Sequence, residues 1–365
     1  MRIAQVAPLY ESVPPARYGG TERVVSYLTE ELVRVGHDVT LFASGDSVTR
    51  ARLVAGAPRA LRTDPGCHDP LARHLLLLER VFDEAQHFDV IHFHVDYLHY
   101  PVSRRLKIPH VTTLHGRLDL PDLVPLYEEF DDVPLVSISD SQRRPIPGAD
   151  WRATVHHGLP EDLHRVGDGR GGYLAFLGRI SREKRPDRAI EIARAAGLPL
   201  RLAAKVDAVD RAYFEGEIAP MLRDAKDVSF VDEIGEDEKS DFLGGAAALL
   251  FPVDWPEPFG LVLIEALACG TPIVAFRGGS VEEIVEPGET GFVVESVEEA
   301  AAAVARIRTI DRRRCRLSFE RRFTAARMAQ DYERVYTGLR RGRVVPISAS
   351  RSARPEISIG ADAQP

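Results

Sequence analysis

Two acids and two bases carry most of the chemistry legible in this sequence. Glu257 and Glu265, separated by seven residues, lie in the segment DWPEPFGLVLIEALACG from Asp254. Pro256 and Pro258 flank Glu257 and keep it out of a helix, so it stands on a stiff loop. The run from Gly260 to Cys269 reads as a helix closed by Gly270. Glu265 falls more than a turn inside it, among Leu263, Ile264, Ala266 and Leu267. A carboxylate in such surroundings needs hydrogen-bonding partners, and the hydroxyls of a ribose would serve. The helix start at Phe259–Val262 offers unpaired N–H groups and a positive dipole end, which suit a phosphate. The bare spacing of two glutamates would also fit two unrelated surface acids; the prolines and the apolar helix favour a cradle for a sugar nucleotide. A second cluster, FLGRISREKRPD from Phe176, ends a strand at Gly178 and presents Arg179 and Lys184 on a short loop. Two cations beside a diphosphate would offset the charge that develops as a bond to phosphate breaks, though with Arg182, Arg185 and Arg188 nearby the cluster fits a solvated basic loop equally well. The chain holds five lysines among 47 basic residues, so a retained lysine is less easily dismissed as a random surface cation.

The elements that must position these groups follow one plan twice. Arg2–Ala7 reads as a buried strand, a Pro-containing loop ends in Tyr18-Gly19-Gly20-Thr21, and Val24, Val25, Leu28, Leu32 and Val35 recur at helical spacing up to Gly36. With a strand over Asp38–Ala43 this makes one βαβ unit. Further strands are predicted at Asp89–Phe93, His110–Leu114, Pro134–Ser139 and Ala153–His156. Around Gly158–Gly172 the chain turns polar and Gly-rich, as a linker would. The pattern then restarts with strands near Tyr173–Leu177, Leu200–Ala204, Val228–Val231, Ala247–Pro252 and Pro272–Phe276. Helices are expected over Asp187–Ala196, near Arg211–Arg223 and over Gly260–Cys269. The fold class is therefore α/β, two facing Rossmann-like doubly wound domains with a cleft between them, where the C-terminal ends of both sheets bind ligands. The expected division is residues 1–160 on the acceptor side and residues 173–320 for the nucleotide. A helix over 321–341 packs back towards the N-terminal domain, and a disordered tail fills 342–365.

These blocks resemble retaining glycosyltransferases of family 4, the glycosyl transferases group 1, which have the GT-B fold. The similar pieces are PEPFGLVLIEALACGTPIVAFRGGSVEEIVEPGETGFVV from Pro256, GRISREKRPDRAIE from Gly178, YGGTERVVSYLTEELVRVGHDVTLFAS from Tyr18, DVIHFHVDY from Asp89 and VTTLHG from Val111. The resemblance implies that Glu257 contacts donor-sugar hydroxyls and that Glu265 holds the ribose. Arg179 and Lys184 would grip the diphosphate with backbone amides near Phe259, Gly260 and Leu261. It implies that Gly19 and Gly20 form a glycine loop close to the phosphates, and that His115 is a strand-end histidine near the donor sugar. The implied reaction moves a hexose from a UDP-glucose-type or GDP-mannose-type donor to an acceptor, with retention, without a metal and without a cofactor. His94, Asp96 and Lys205 are candidate acceptor or donor contacts. Two departures stand out: His157 precedes Gly158 where the family often has Asn, and Ala203-Ala204-Lys205-Val206-Asp207 replaces a Gly-rich turn.

Other classes fare worse. A formal net charge of -8 and a pI of about 5.9 argue against a nucleic-acid partner. Cys67, Cys269 and Cys315 lack metal-ligand spacing, which suggests a reducing compartment. Nothing approaches the ~18 apolar residues of a membrane span, and MRIAQVAP is not a signal peptide, so a cytoplasmic protein is expected. His92 and His94 share a strand face, with no third metal ligand obvious. The basic run from Arg312 fits a solvated helix face or peripheral contact with anionic lipid. No G-x-G-x-x-G follows the first strand, against an NAD enzyme. A sugar-nucleotide epimerase on the same two-domain plan is the alternative.

Overall fold

The computed structural model describes residues 1–17, 19–105 and 107–341; the tail expected over 342–365 lies outside the described residues. Seven strands form the first sheet: β1 Arg2–Val6, β2 Asp38–Ser44, β3 Arg52–Ala57, β4 Val90–Phe93, β5 His110–Thr113, β6 Leu135–Ser137 and β7 Trp151–Thr154. All pairs are parallel, in the order β3-β2-β1-β4-β5-β6-β7. Six strands form the second: β8 Leu174–Arg179, β9 Leu200–Lys205, β10 Val228–Phe230, β11 Ala248–Phe251, β12 Ile273–Phe276 and β13 Gly291–Val294. They too are parallel, in the order β10-β9-β8-β11-β12-β13. Strand order reverses between β1 and β4 and again between β8 and β11, and at such switch points the strand ends leave a crevice.

Successive side chains of a strand point to opposite faces, and β1 uses both. Ala4 and Val6 join Phe42, Leu77, Val81, Ile91 and Phe93 in one cluster. Ile3 joins Val24, Leu28, Val90 and Val111 in the other, under helix Gly20–Arg34. That second face is completed from the far end of the sequence. Helix Ala325–Arg341 lays Met328, Ala329, Tyr332 and Tyr336 on it. The C-terminal sheet has one large core running from Leu174 through Ile264 and Val274 to Phe319.

Three local differences from the sequence reading have physical causes. Strand β3 was not expected because Arg52–Ala57 is a half-buried edge strand with little apolar alternation. The helix expected near Arg211–Arg223 is interrupted by a wider turn over Phe214–Ile218, just before Pro220 removes a backbone donor. The last helix begins at Ala325, not Arg321, because Arg312–Arg322 is a separate helix and the chain between them pairs with the linker. Leu159 N donates to Phe323 O at 2.9 Å and Ala325 N to Leu159 O at 2.7 Å. Among the described residues no helix is long and apolar enough to cross a membrane.

Candidate active site

The crevices at the two switch points face each other across one cleft of about 700 Å³. Gly19, Gly20, His94, Asp96 and His115 line it from the N-terminal half, and Gly178, Arg179, Lys184, Glu257, Phe259, Gly260 and Leu261 from the C-terminal half. Glu265 and Lys205 line an adjoining space of about 150 Å³ that shares Gly19, Gly20, Gly178 and Leu261. The structure thus places the candidate site residues on the walls of these two adjoining spaces. A Cβ added at Gly20 would lie 3.4 Å from Leu261 Cδ1, so the glycine loop and the helix start approach closely across the cleft.

Glu257 is 8% exposed and held at both backbone and side chain. Its carbonyl accepts from Ser280 N at 3.0 Å, and Ser280 Oγ donates to Phe259 O at 2.6 Å. Gly279 passes so close that a Cβ there would stand 2.2 Å from the Glu257 carbonyl oxygen, and its φ of 55° is itself one that glycine favours. The Glu257 carboxylate accepts from Trp255 Nε1 at 2.8 Å and forms an ion pair with Lys184 Nζ. Lys184 Nζ also sits 5.2 Å from the Trp255 ring centroid, within cation–π range. Arg179, at the end of β8, has Asp210, Glu183 and Asp207 at 3.6, 3.7 and 3.8 Å. Both cations therefore face carboxylates within the cleft.

The helix Leu261–Ala268 begins at Gly260, whose φ is 81°, and its first amides open on the cleft. One turn in, Glu265 is 4% exposed, and Lys239 Nζ donates to its Oε1 at 2.7 Å. Burial pushes the Glu265 carboxyl up, but Lys239, His164 and Arg23 around it bring it below its ordinary value. Lys239 also donates to Glu236 at 3.0 Å, and Arg23 reaches Glu236 at 2.6 Å from the helix of the other half. Among the described residues His164, Glu236 and Glu265 hold ligand-type atoms within 4.8 Å of one another. Lys239 and Arg23 already supply these carboxylates with positive charge.

On the opposite wall a chain of hydrogen bonds runs inward from His115. His115 Nε2 and His94 Nδ1 are 2.9 Å apart, and His94 Nε2 is 2.8 Å from Gln5 Oε1. Gln5 Nε2 donates to Tyr336 Oη at 3.0 Å, and Tyr336 Oη meets His92 Nδ1 at 2.8 Å. His92 Nε2 meets Thr113 Oγ1 at 2.7 Å. With both ring nitrogens of His92 and of His94 engaged, neither offers a metal ligand. Burial brings the His115 imidazole down to about 3 and pushes His94 and His92 well below their ordinary value. The His115 ring stacks on His157 at 5.2 Å, and His157 meets Phe259 edge-on at 4.8 Å. Asp96 opens on the cleft yet is ringed by protein, and that desolvation pushes its carboxyl up to about 6.

Sequence reasoning missed Trp255, Gly279, Ser280, Arg23, Lys239 and Glu236, and noted His157 only as a departure from the family pattern. Lys239 carried a usable signal, because it too is one of the five lysines. Trp255 stands two residues from Glu257 in the same segment, and the others meet the site only through tertiary folding.

The chain is similar in sequence and in fold to known proteins. Residues 18–154 match the model of Glycosyltransferase Family 4, and residues 167–319 match that of Glycosyl transferases group 1. D-inositol 3-phosphate glycosyltransferase of Streptomyces scabiei is 33% identical over 174 residues, 41% of this chain and 39% of the relative; the chain thus spans about two fifths of that protein. N-acetyl-alpha-D-glucosaminyl L-malate synthase of Bacillus anthracis is 26% identical over 305 residues, 72% of this chain and 78% of the relative. Among solved structures, Anabaena HepE in complex with UDP-glucose superposes with a TM-score of 0.71 over 93% of this chain and 100% of that one, at 16% identity.

Proposed function

Since the chain belongs to the family 4 glycosyltransferases of GT-B fold, we propose that it moves a hexosyl group from a nucleoside-diphosphate sugar to an acceptor hydroxyl, retaining the anomeric configuration and using no metal ion. The observation that carries this reading is the shared placement of the Lys184–Glu257–Trp255 cluster, the amide-bearing start of helix Leu261–Ala268 and His115 around one cleft. In this reading the ribose lies at Glu265, the diphosphate between the helix start and the cations Arg179 and Lys184, and the hexose between Glu257 and His115.

The chemistry asked of these groups is mostly electrostatic. The acceptor oxygen attacks the anomeric carbon on the face that the diphosphate leaves. The carbon–oxygen bond to the β-phosphate breaks, its electron pair stays on the phosphate, and the acceptor proton passes to that departing oxygen. Lys184 then turns part of its charge from Glu257 towards the leaving group, and the Glu257 carboxylate is freed for sugar hydroxyls. No enzyme nucleophile is required.

UDP-glucose is the proposed donor type, supported by the UDP-glucose that the HepE structure holds. The test is a thermal-shift and hydrolysis panel of UDP- and GDP-sugars, with and without EDTA, on the wild type and on Glu257→Ala. Stabilisation and slow, EDTA-resistant hydrolysis of a UDP-hexose by the wild type alone is expected. No response to any sugar nucleotide, or recovery of an epimer, would sink the reading.

A further inference from the structure

The N-terminal wall of the cleft has an uneven charge pattern. It carries three carboxylates, Glu11, Glu22 and Asp96, and among the described residues one guanidinium, Arg62. Arg62 is already taken, 3.0 Å from Glu11 Oε1. Glu22 and Asp96 form no ion pair among the described residues. Glu22 also sits in the first turn of helix Gly20–Arg34, where its carboxylate meets the positive end that an anion would otherwise use.

The imidazoles on this wall add no positive charge, and geometry says why. His74 Nε2 accepts from Leu9 N at 3.0 Å while Nδ1 donates to Pro70 O at 2.7 Å, which fixes a neutral ring. Burial holds His94 and His115 neutral, and in that state His94 donates through Nε2 to Gln5 and accepts from His115 at Nδ1. Burial acts in the same direction on all three. A phosphate or carboxylate on the acceptor would thus meet two carboxylates that no ion pair neutralises, with Arg62 already held by Glu11, whereas hydroxyl donors would satisfy their lone pairs. Tyr10 and Tyr97 are exposed on the same wall, with Tyr10 4.9 Å from the His74 ring. Such rings offer a flat apolar face to the C–H side of a sugar.

We propose that the acceptor is a saccharide or polyol bearing no phosphate or carboxylate, recognised through hydroxyl groups by Glu22 and Asp96. This rests on the transferase reading and narrows it, away from the anionic acceptors in the names of the two relatives.

The test uses the full chain loaded with UDP or GDP, whichever stabilises it. Affinities are measured by titration for two matched pairs, glucose with glucose 6-phosphate and myo-inositol with myo-inositol 1-phosphate. The Glu22→Gln/Asp96→Asn double variant is expected to bind the phosphorylated members at least tenfold more tightly than the wild type does, and the wild type to favour the neutral members. Equal affinity of both proteins for the phosphorylated members, or a wild type that prefers them, overturns the proposal. Nucleotide affinity and slow donor hydrolysis are read in the same samples. Their absence in the wild type strikes the transferase reading, whereas their presence with no charge discrimination strikes the acceptor inference alone. If the double variant no longer binds nucleotide, Asp96→Asn alone takes its place under the same criteria.

Discussion

His94 Nδ1 stands 2.9 Å from His115 Nε2, and with Gln5 behind it this contact sets which nitrogen of a neutral His115 carries the proton. Gln5 Oε1 can only accept, so His94 must donate to it through Nε2 and accept at Nδ1. His115 then donates through Nε2, and its Nδ1, buried and without a hydrogen-bond partner among the described residues, is left unprotonated. Gln5→Leu removes the group that sets this order. It is expected to lower kcat/KM about tenfold, or ~1.4 kcal/mol, with the nucleotide affinity unchanged. Nitrogen chemical shifts of His115 should report mixed tautomers in the variant. An unchanged kcat/KM together with unchanged shifts would discard the role.

The same buried rings make stability depend on pH. His92, His94, His99, His115 and His157 are all pushed below 6.5 by burial. Depressed folded values mean that the unfolded chain binds more protons below 6.5. Stability is therefore fully present above pH 6.5 and falls as pH drops towards 3, by about 1.4 kcal/mol per pH unit for each ring that stays neutral in the fold. The melting temperature should decline steeply between pH 6.5 and 5, and less steeply in His94→Gln, which removes one titrating group.

Lys184→Ala is expected to reduce turnover by about one to two orders of magnitude through loss of a charge-assisted contact worth ~1.5–3 kcal/mol. It also strands Glu257 beside Trp255. Steady-state kinetics with the donor that the panel identifies would measure it, and near-normal turnover would refute the assignment.

Gly279→Ala tests the clamp behind Glu257. A methyl 2.2 Å from a backbone oxygen at a φ of 55° forces the loop to move, at a cost of roughly 2 kcal/mol or more. Thermal denaturation should show the loss, and donor hydrolysis should fall with it. Unaltered stability would mean that the loop gives way freely.

Lys239→Met leaves Glu265 buried without its nearest cation. Breaking a buried pair from one side costs about 3–5 kcal/mol. The expected outcome is lower stability together with weaker nucleotide binding, read by titration with UDP.

Much of this could be seen in the chain itself, for reasons that differ from place to place. The helix Gly20–Arg34 was legible because Val24, Val25, Leu28 and Leu32 are all buried on its inner side. Strand β3 was not, since a half-buried edge strand need not alternate. Glu257 stood out through its flanking prolines and Glu265 through its apolar neighbours, both local signals. The partners that tune them, Trp255 apart, come from other elements: Gly279 from the turn after β12, Lys239 from helix Glu236–Gly245, and Arg23 from the opposite half. Nothing local in Gln5 or Tyr336 says that they meet, 331 residues apart.

The helix Ala325–Arg341 has a consequence for how the molecule can be taken apart. It follows the C-terminal sheet in the chain, yet covers one face of the N-terminal sheet and shares its core with Ile3, Leu28 and Val111. A gene fragment ending at the linker would encode an N-terminal sheet stripped of one layer, and a fragment beginning there would carry an orphan amphipathic helix. The two halves are therefore not interchangeable cassettes. Grafting a new acceptor half onto this donor half would have to exchange two separate stretches of sequence together, residues 1–160 and the final helix.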